Sequence, residues 1–135
     1  MTVEYTSTEF VAKSFNLPAG TGELVALDAA TGKVLWTNKL DSINVGAATV
    51  VNDTVFTSTL NGKIYAFNRI TGEKLLEYQA PGGINGWPAV KDDRIVFPVG
   101  LGPNPVLLSL KIGVNSLSPT STAIPVGGTE KKFQQ

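Results

Sequence analysis

The stretch Gly22-Glu23-Leu24-Val25-Ala26-Leu27-Asp28 decides the fold, because it returns forty residues later as Gly62-Lys63-Ile64-Tyr65-Ala66-Phe67-Asn68. The same spacing relates further segments along the chain: Thr31-Gly32-Lys33 and Thr71-Gly72-Glu73, Val50 and Val90, and Val55 and Ile95. Each repeat carries short runs rich in β-branched and aromatic residues, which are typical of strands. We expect a chain of repeated all-β units, since no segment has the periodicity of an amphipathic helix.

A repeat of about 40 residues made of short strands is in the size range of β-propeller blades, which are four-stranded antiparallel sheets. Individual strands are predicted at Leu24–Leu27, Val34–Trp36, Val55–Thr59, Ile64–Phe67 and Ile95–Val99. Several of these runs are apolar on both faces, as expected for a strand that lies between two neighbouring sheets. The dipeptide Asn61-Gly62 predicts a type I′ hairpin turn, because both residues tolerate positive φ.

The repeats predict a partial β-propeller of about two and a half blades within residues 1–112. The three units span residues 10–40, 46–79 and 89–112, and we expect about three strands, four strands and about three strands in them. Residues 113–135 are rich in Ser, Thr, Pro and Gly and are predicted to form a disordered tail. Because such a piece leaves two hydrophobic blade faces open, its expected partners are the remaining blades of a ring or copies of itself.

Five residues form a motif with the pattern A-x-D-x-x-T-G-x-x-x-W: Ala26, Asp28, Thr31, Gly32 and Trp36. Asp28 is expected to accept hydrogen bonds from the N–H groups of the turn, and Gly32 supplies a positive φ. Ala26 leaves room for an indole from an adjacent blade. A buried Trp36 would add a large apolar contact area to the blade.

This motif resembles the tryptophan-docking motif of the PQQ-type, quinoprotein-like β-propeller repeats. The second copy departs from the pattern at two positions, which are occupied by Asn68 and Leu76. The resemblance continues through Val45–Thr49 and Gly82–Ala89, which are similar to the segments that enter the last two inner strands of quinoprotein dehydrogenases. It covers most of the chain and corresponds to the C-terminal blades of those propellers.

The resemblance implies a role inside a larger ring. The chain would complete the ring and form part of the central channel rim, with no catalytic residue and no complete active site of its own. Two alternatives stay open: a self-assembling propeller scaffold or interaction module, and a part of a PQQ-dependent alcohol or sugar dehydrogenase. A cofactor-free propeller hydrolase is a further candidate for the parent protein. The resemblance implies PQQ and calcium for a parent only, with no cofactor for this chain, and a periplasmic or extracellular location for that parent.

Asn44, Asn85 and Trp87 are the candidate ligand-binding residues, because they stand just before predicted inner strands. In a propeller these positions line the mouth of the central channel, where ligands bind. Trp87 could stack on a flat ligand, and the two amides could hydrogen-bond its edges. The competing interpretation is structural, with Trp87 as a blade-packing aromatic and the two Asn residues as turn formers.

The composition excludes several kinds of chemistry. The chain has no His and no Cys among its 135 residues, so thiol catalysis, disulfides and Ser–His pairs are excluded, and no metal ligand is singled out. The formal net charge is zero, so nucleic acid is not an expected partner. No apolar run approaches the length of a membrane span, and the first ten residues lack the features of a signal peptide.

Overall fold

The computed structural model describes residues 19–113 together with the backbone of two short strands at 116–119 and 124–125. The described part consists of β-strands, turns and connecting segments, without an α-helix. The predicted all-β fold class is therefore confirmed. Within the same residues, no helix is long and apolar enough to cross a membrane.

The strands, numbered in chain order, are β1 (Gly22–Leu27), β2 (Val34–Leu40), β3 (Thr49–Val51), β4 (Thr54–Ser58), β5 (Lys63–Asn68), β6 (Lys74–Gln79), β7 (Gly83–Ile84), β8 (Ala89–Lys91), β9 (Arg94–Leu101), β10 (Val106–Gly113), β11 (Ser116–Pro119) and β12 (Ile124–Pro125). They form three sheets with antiparallel pairing. Sheet 1 is β1-β2, and sheet 2 is β3-β4-β5-β6. In sheet 3, β9 pairs with β7, β8 and β10, and β10 pairs with β11 and β12.

Sheet 2 is a complete four-stranded blade whose strand order follows the chain, as the repeat predicts. Its central strands β4 and β5 are buried on both faces, because a sheet lies against each face. Tyr65 and Phe67 pack with Leu40 of sheet 1. Ile64 and Ala66, on the opposite face, belong to a larger core shared with sheet 3. Each fully buried apolar side chain of this kind contributes about 1.5–3 kcal/mol to the free energy of unfolding.

In the described structure, only one face of sheet 1 packs against another sheet. Along β1 the side chains alternate between half-buried positions that point to sheet 2 and exposed positions that point away. Four apolar side chains on the far side are 43–61% exposed: Val25, Leu27, Val34 and Leu35. The surface that these four residues form is called the open face below.

Sheet 3 has four strand positions: the unit predicted at residues 89–112 contains the three strands β8, β9 and β10, and strands outside that range add to the sheet. The short strands β7 and β8 share the first position beside β9, while β11 and β12 share the last position beside β10. Strand β11 pairs antiparallel with β10, and Gly113 is the partner of Ser116. Most of residues 113–135 lie outside the described residues, so the predicted disorder of that tail stays a prediction.

The turn between β4 and β5 differs from the predicted type I′ hairpin. Gly62 has a φ of 85°, but Asn61 is not among the residues with positive φ. The Gly62 N–H donates to the Thr59 carbonyl at 3.0 Å, and the Thr59 N–H donates to the Lys63 carbonyl at 3.0 Å. This geometry is the three-residue hairpin loop that ends in a glycine bulge.

Candidate functional site

Trp36 docks sheet 1 onto the turn that follows β5 in sheet 2. Its Nε1 donates to the Arg69 carbonyl at 3.0 Å, and its ring centroid lies 6.3 Å from that of Phe67. A Cβ atom on Gly72 would stand 2.6 Å from the Trp36 Cγ, so only glycine lets the indole approach this closely. The indole is half-buried, less than the burial that the motif predicts, because its Nε1 edge reaches the exposed backbone at Arg69.

Asp28 organises the equivalent turn in sheet 1. Its Oδ1 accepts hydrogen bonds from the Ala30 N–H at 3.1 Å, the Thr31 N–H at 2.7 Å and the Thr31 hydroxyl at 2.7 Å. The bonds from Thr31 lower the pKa of Asp28 below its ordinary value. In the second copy Asn68 accepts the corresponding N–H groups of Ile70 and Thr71, so an amide oxygen supports the same turn.

Ala26 borders an indole of its own sheet, which differs from the expected contact with an adjacent blade. Ala26 on β1 is the cross-strand partner of Trp36 on β2. Directly opposed residues of an antiparallel pair lie side by side on one face of the sheet. The small side chain therefore stands next to the same indole that reaches across to Gly72 in sheet 2.

A charged cluster, which no local pattern predicts, joins sheet 1 to sheet 2 at the ends of the strands opposite these turns. Asp41 follows β2 and contacts the Lys63 ammonium at 2.7 Å, and it accepts the Tyr65 hydroxyl at 2.7 Å and the Asn61 amide at 3.2 Å. Lys63 also contacts Glu77 at 2.7 Å. Each of these contacts joins residues that are 14 to 24 positions apart in sequence. The contacts to Asp41 form only because sheet 1 stacks on sheet 2, so the residue types carry no local signal.

The electrostatics of this cluster favour its charged form. The hydrogen bonds from Lys63 and Tyr65 lower the pKa of Asp41 to about 2. The contact with Lys63, followed by that with Lys74, lowers the pKa of Glu77. Burial and the Asp41 carboxylate both raise the pKa of the Tyr65 hydroxyl above its ordinary range. The cluster borders a cleft of about 250 Å³, but with each charge already matched by a neighbour it serves as an inter-sheet contact.

Asn44, one of the three candidate rim residues, is committed to sheet 2. Its Nδ2 donates to the Thr57 hydroxyl at 2.6 Å and to the Ser58 carbonyl at 2.7 Å. Thr57 and Ser58 are fully buried, so these bonds satisfy polar groups that water does not reach. The amide nitrogen therefore fixes the segment that enters β3, and the side chain is half-buried rather than presented to a ligand.

Asn85 and Trp87 lie in the segment between β7 and β8, and both are exposed. Trp87 is 68% exposed, which is the highest exposure among the large apolar side chains of the described residues. The segments that precede β3 and β8 meet here, because a Cβ atom on Gly46 would stand 2.7 Å from the Gly86 carbonyl oxygen. The structure therefore brings the candidate segments together. Trp87 and Asn85 are exposed at the surface, whereas Asn44 is hydrogen-bonded to sheet 2.

The candidate rim residues do not carry the donor set that a quinone with its calcium ion needs. In residues 19–113, no group of three His, Cys, Asp or Glu side chains could hold a metal ion. Calcium requires six to eight oxygen ligands, and a flat cofactor needs surfaces on both of its faces. One exposed indole and one free amide are a partial surface, so the described residues do not fit PQQ with calcium as a complete site.

Curated relatives of the chain are quinoprotein dehydrogenases. The quinoprotein ethanol dehydrogenase of Pseudomonas putida is 41% identical over 86 residues, which cover 60% of this chain and 14% of the relative. The quinoprotein alcohol dehydrogenase PedH of Pseudomonas putida is 38% identical over 68 residues, which cover 50% of this chain and 11% of the relative. The chain thus spans a small part of the length of these relatives.

Solved structures with the same fold include a europium-containing methanol dehydrogenase, with a TM-score of 0.61 and 20% identity over 70% of this chain and 20% of that chain. BamB from Moraxella catarrhalis superposes with a TM-score of 0.60 and 25% identity over 71% of this chain and 29% of that chain. Both likenesses support the partial β-propeller fold. The family model described as outer membrane protein assembly factor BamB matches residues 20–101. Since this match spans more than half of the chain, the chain belongs to the PQQ-type β-propeller repeat family.

Proposed function

We propose that the chain serves as a set of blades in a larger β-propeller, where it completes the ring and forms an arc of the central channel rim, without a complete active site of its own. One observation carries this proposal. Sheet 2, which has a neighbour on each side, buries Phe67 to 2% exposure, whereas Leu27, forty residues earlier, is 56% exposed on the open face. A contiguous apolar surface of this kind marks a place where another protein surface packs.

The rim contribution rests on Trp87 and Asn85. An exposed indole beside a free amide is suited to stack on a planar ligand and to hydrogen-bond its edge. The ligand surface would be shared with other blades, because this arc offers one aromatic contact of about 0.5–1.5 kcal/mol beyond its buried area. A periplasmic location of the assembled protein is part of this proposal, supported by the description of the family as an outer membrane protein assembly factor.

Light scattering over a series of concentrations tests the proposal. The chain is expected to self-associate or to require its partner blades, because the open face has no cover in the described structure. The double substitution Val25→Lys and Leu35→Lys should make it monomeric with an unchanged β-type circular dichroism spectrum. Ile70→Lys is the matched control, because Ile70 is 63% exposed on a turn away from the open face. A natural chain that stays monomeric and soluble over the whole range would contradict the proposal.

A second candidate is a part of a PQQ-dependent alcohol or sugar dehydrogenase, which the identity to quinoprotein dehydrogenases favours. The test is a titration of the chain with PQQ and calcium, followed by Trp fluorescence. We expect no saturable quenching at micromolar PQQ, since micromolar affinity requires about 8 kcal/mol. Quenching that saturates, is lost in Trp87→Ala and is kept in Trp36→Ala would favour the dehydrogenase over a set of blades without a cofactor site.

A further inference from the structure

Two Asn-Gly dipeptides occur in the chain, Asn61-Gly62 and Asn85-Gly86. The first belongs to the loop between β4 and β5, and the second belongs to the segment between β7 and β8. Both asparagine side chains are exposed. In such a dipeptide the backbone nitrogen of the glycine can attack the asparagine side chain, because glycine has no Cβ that obstructs the approach. The surroundings of each dipeptide decide whether this attack takes place.

The attack leads to deamidation and requires only water and base. Hydroxide removes the proton of the glycine N–H, and the nitrogen then forms a bond to the Cγ atom of the asparagine, which closes a succinimide ring. The bond between Cγ and Nδ2 breaks, and the side-chain nitrogen takes a proton from water and leaves as ammonia. Water opens the ring at either carbonyl, which gives aspartate or isoaspartate. One water is consumed and one ammonia is released for each asparagine.

Hydrogen bonds restrain both reacting groups of Asn61-Gly62. The Gly62 N–H, which would supply the attacking nitrogen, donates to the Thr59 carbonyl at 3.0 Å. The Asn61 Oδ1 accepts the Thr59 hydroxyl at 2.6 Å, and the Asn61 Nδ2 donates to Asp41 at 3.2 Å. Deamidation at this dipeptide requires that the glycine N–H leaves its acceptor and that the amide turns away from both of its partners. Each hydrogen bond that must break lowers the rate of the reaction.

The same groups of Asn85-Gly86 are not restrained by hydrogen bonds. Within residues 19–113, the Asn85 amide has no hydrogen-bond partner and the Gly86 N–H has no acceptor. The backbone of Gly86 is fixed by packing, since a Cβ atom there would stand 2.7 Å from the Pro98 Cγ. The exposed Asn85 side chain is therefore the group that turns, and water reaches it for the ring-opening step.

We propose that Asn85 is a site of spontaneous deamidation in the folded chain, which converts it to aspartate and isoaspartate while Asn61 is protected. This inference goes beyond the proposed function and does not rest on it. The conversion replaces an amide that offers two N–H donors by a carboxylate that offers none. It adds one negative charge to a chain whose formal net charge is zero. The isoaspartate product also lengthens the backbone by one methylene in the segment that joins β7 to β8.

Peptide mapping of the full chain measures deamidation at both dipeptides in one experiment. The chain is incubated in mildly alkaline buffer, once folded and once unfolded in guanidinium chloride at the same pH. Trypsin then releases residues 40–63 and 75–91 as separate peptides, and Asn85 is the one asparagine of the second peptide. Mass spectrometry follows the mass increase of each peptide with time, and fragmentation assigns the increase in the first peptide to Asn61 or to another asparagine.

The expected result is a difference between the two sites that depends on folding. In guanidinium chloride Asn61 and Asn85 should react at similar rates, because each precedes a glycine and neither keeps its folded-state contacts. In the folded chain Asn61 should react at least about tenfold more slowly than Asn85, because its hydrogen bonds must break first. Equal slowing of the two sites by folding, or slower deamidation of Asn85 than of Asn61 in the folded chain, would overturn the proposal.

The open face does not enter this measurement. Val25 and Leu35 belong to β1 and β2 of sheet 1, whereas Asn85 lies between two strands of sheet 3. The variant with Val25→Lys and Leu35→Lys should therefore deamidate at the same two rates as the natural chain. Failure of the proposed function in the light-scattering experiment would leave the test of Asn85 unaffected.

A second readout identifies the product in the intact, folded chain. Anion-exchange chromatography should resolve a species with one additional negative charge, and an isoaspartate O-methyltransferase should transfer a labelled methyl group to it. Both signals should disappear in Asn85→Gln, because the longer side chain closes a larger ring much more slowly. The matched control Asn61→Gln should keep both signals. A charged species that persists in Asn85→Gln and disappears in Asn61→Gln would overturn the assignment to Asn85.

Discussion

Sheet 1 and sheet 2 contain copies of the same hairpin, and the two copies differ in what covers them. Residues 22–28 and 62–68 share their strand pattern, and each hairpin ends in a turn capped by an Asp or Asn side chain. The second copy is buried on both faces and the first on only one. Local sequence therefore sets the hairpin, while burial is set by the neighbouring sheet. Substitutions at matched positions of the two copies separate these two contributions.

The largest expected difference is between Phe67→Ala and Leu27→Ala. Phe67 is 2% exposed and packs with Leu40 and Tyr65, so its truncation should lower the free energy of unfolding by about 3–5 kcal/mol. Leu27 is 56% exposed, and its truncation should cost less than about 1 kcal/mol. Urea denaturation of both variants measures the difference. Equal costs would mean that the open face is covered in solution.

Gly72→Ala and Gly32→Ala sharpen the comparison at the turns. Both glycines have positive φ, so an alanine at either position should cost about 1–2 kcal/mol in backbone strain. At Gly72 the new methyl group also displaces the Trp36 indole, which should add about 1–3 kcal/mol. The two variants are compared by urea denaturation, with the Trp36 fluorescence maximum as a second readout. A red shift in Gly32→Ala as large as in Gly72→Ala would contradict the assigned contact.

Acid should weaken the interface between sheets 1 and 2 through Asp41. Lys63 and Tyr65 lower the pKa of this carboxyl from 3.8 to about 2 in the folded chain. A lowered folded-state pKa stabilises the fold above the unfolded-state value, and this stabilisation is lost as the pH falls from about 4 to about 2. Because Asp41 is partly exposed, the effect should be modest. The unfolding midpoint of Asp41→Asn should decrease less steeply over this pH range than that of the natural chain. The midpoint of Tyr65→Phe should decrease with an intermediate slope. Identical profiles in all three would contradict this role of Asp41.

The smallest change in stability is expected from Asp28→Asn, which gives the first turn the same capping residue type as the second. Since Asn68 accepts the corresponding N–H groups of Ile70 and Thr71, the variant should unfold at nearly the same urea concentration at neutral pH. Hydrogen bonds from Thr31 lower the pKa of Asp28, so a small part of the loss of stability in acid should disappear in the variant. A large destabilisation at neutral pH would mean that the carboxylate has a further role.

The repeat carried most of the information about the fold. The period and the β-branched runs predict sheets whose strand order follows the chain, because strand pairing within a hairpin is a local property. The sequence did not reveal the last strand position of sheet 3, since β11 and β12 are short and rich in Ser and Pro. The type I′ turn predicted at Asn61-Gly62 was wrong. The observed loop ends in a glycine bulge, and only Gly62 of this pair has a positive φ.

The contacts of the candidate site are harder to predict from the sequence than the fold is. That Trp36 reaches the turn of the next repeat depends on how one sheet is stacked on another. The contacts of Asp41 with Lys63 and Tyr65 arise in the same way. Asn44 illustrates the converse: its position before an inner strand is compatible with a ligand role or a structural role, and its amide satisfies two buried acceptors. Asn85 and Trp87 are both exposed, and their place at a channel rim stays a prediction.

Hydrogen exchange at matched amides in dilute solution tests the central claim most directly, namely that a neighbour on each face, and not the local sequence, gives a repeat its stability. The account predicts that the amides of Leu24–Leu27 exchange at least about tenfold faster than those of Ile64–Phe67, because sheet 1 opens locally while sheet 2 opens only with the whole unit. Equal protection of the two segments in a monomeric chain would contradict it.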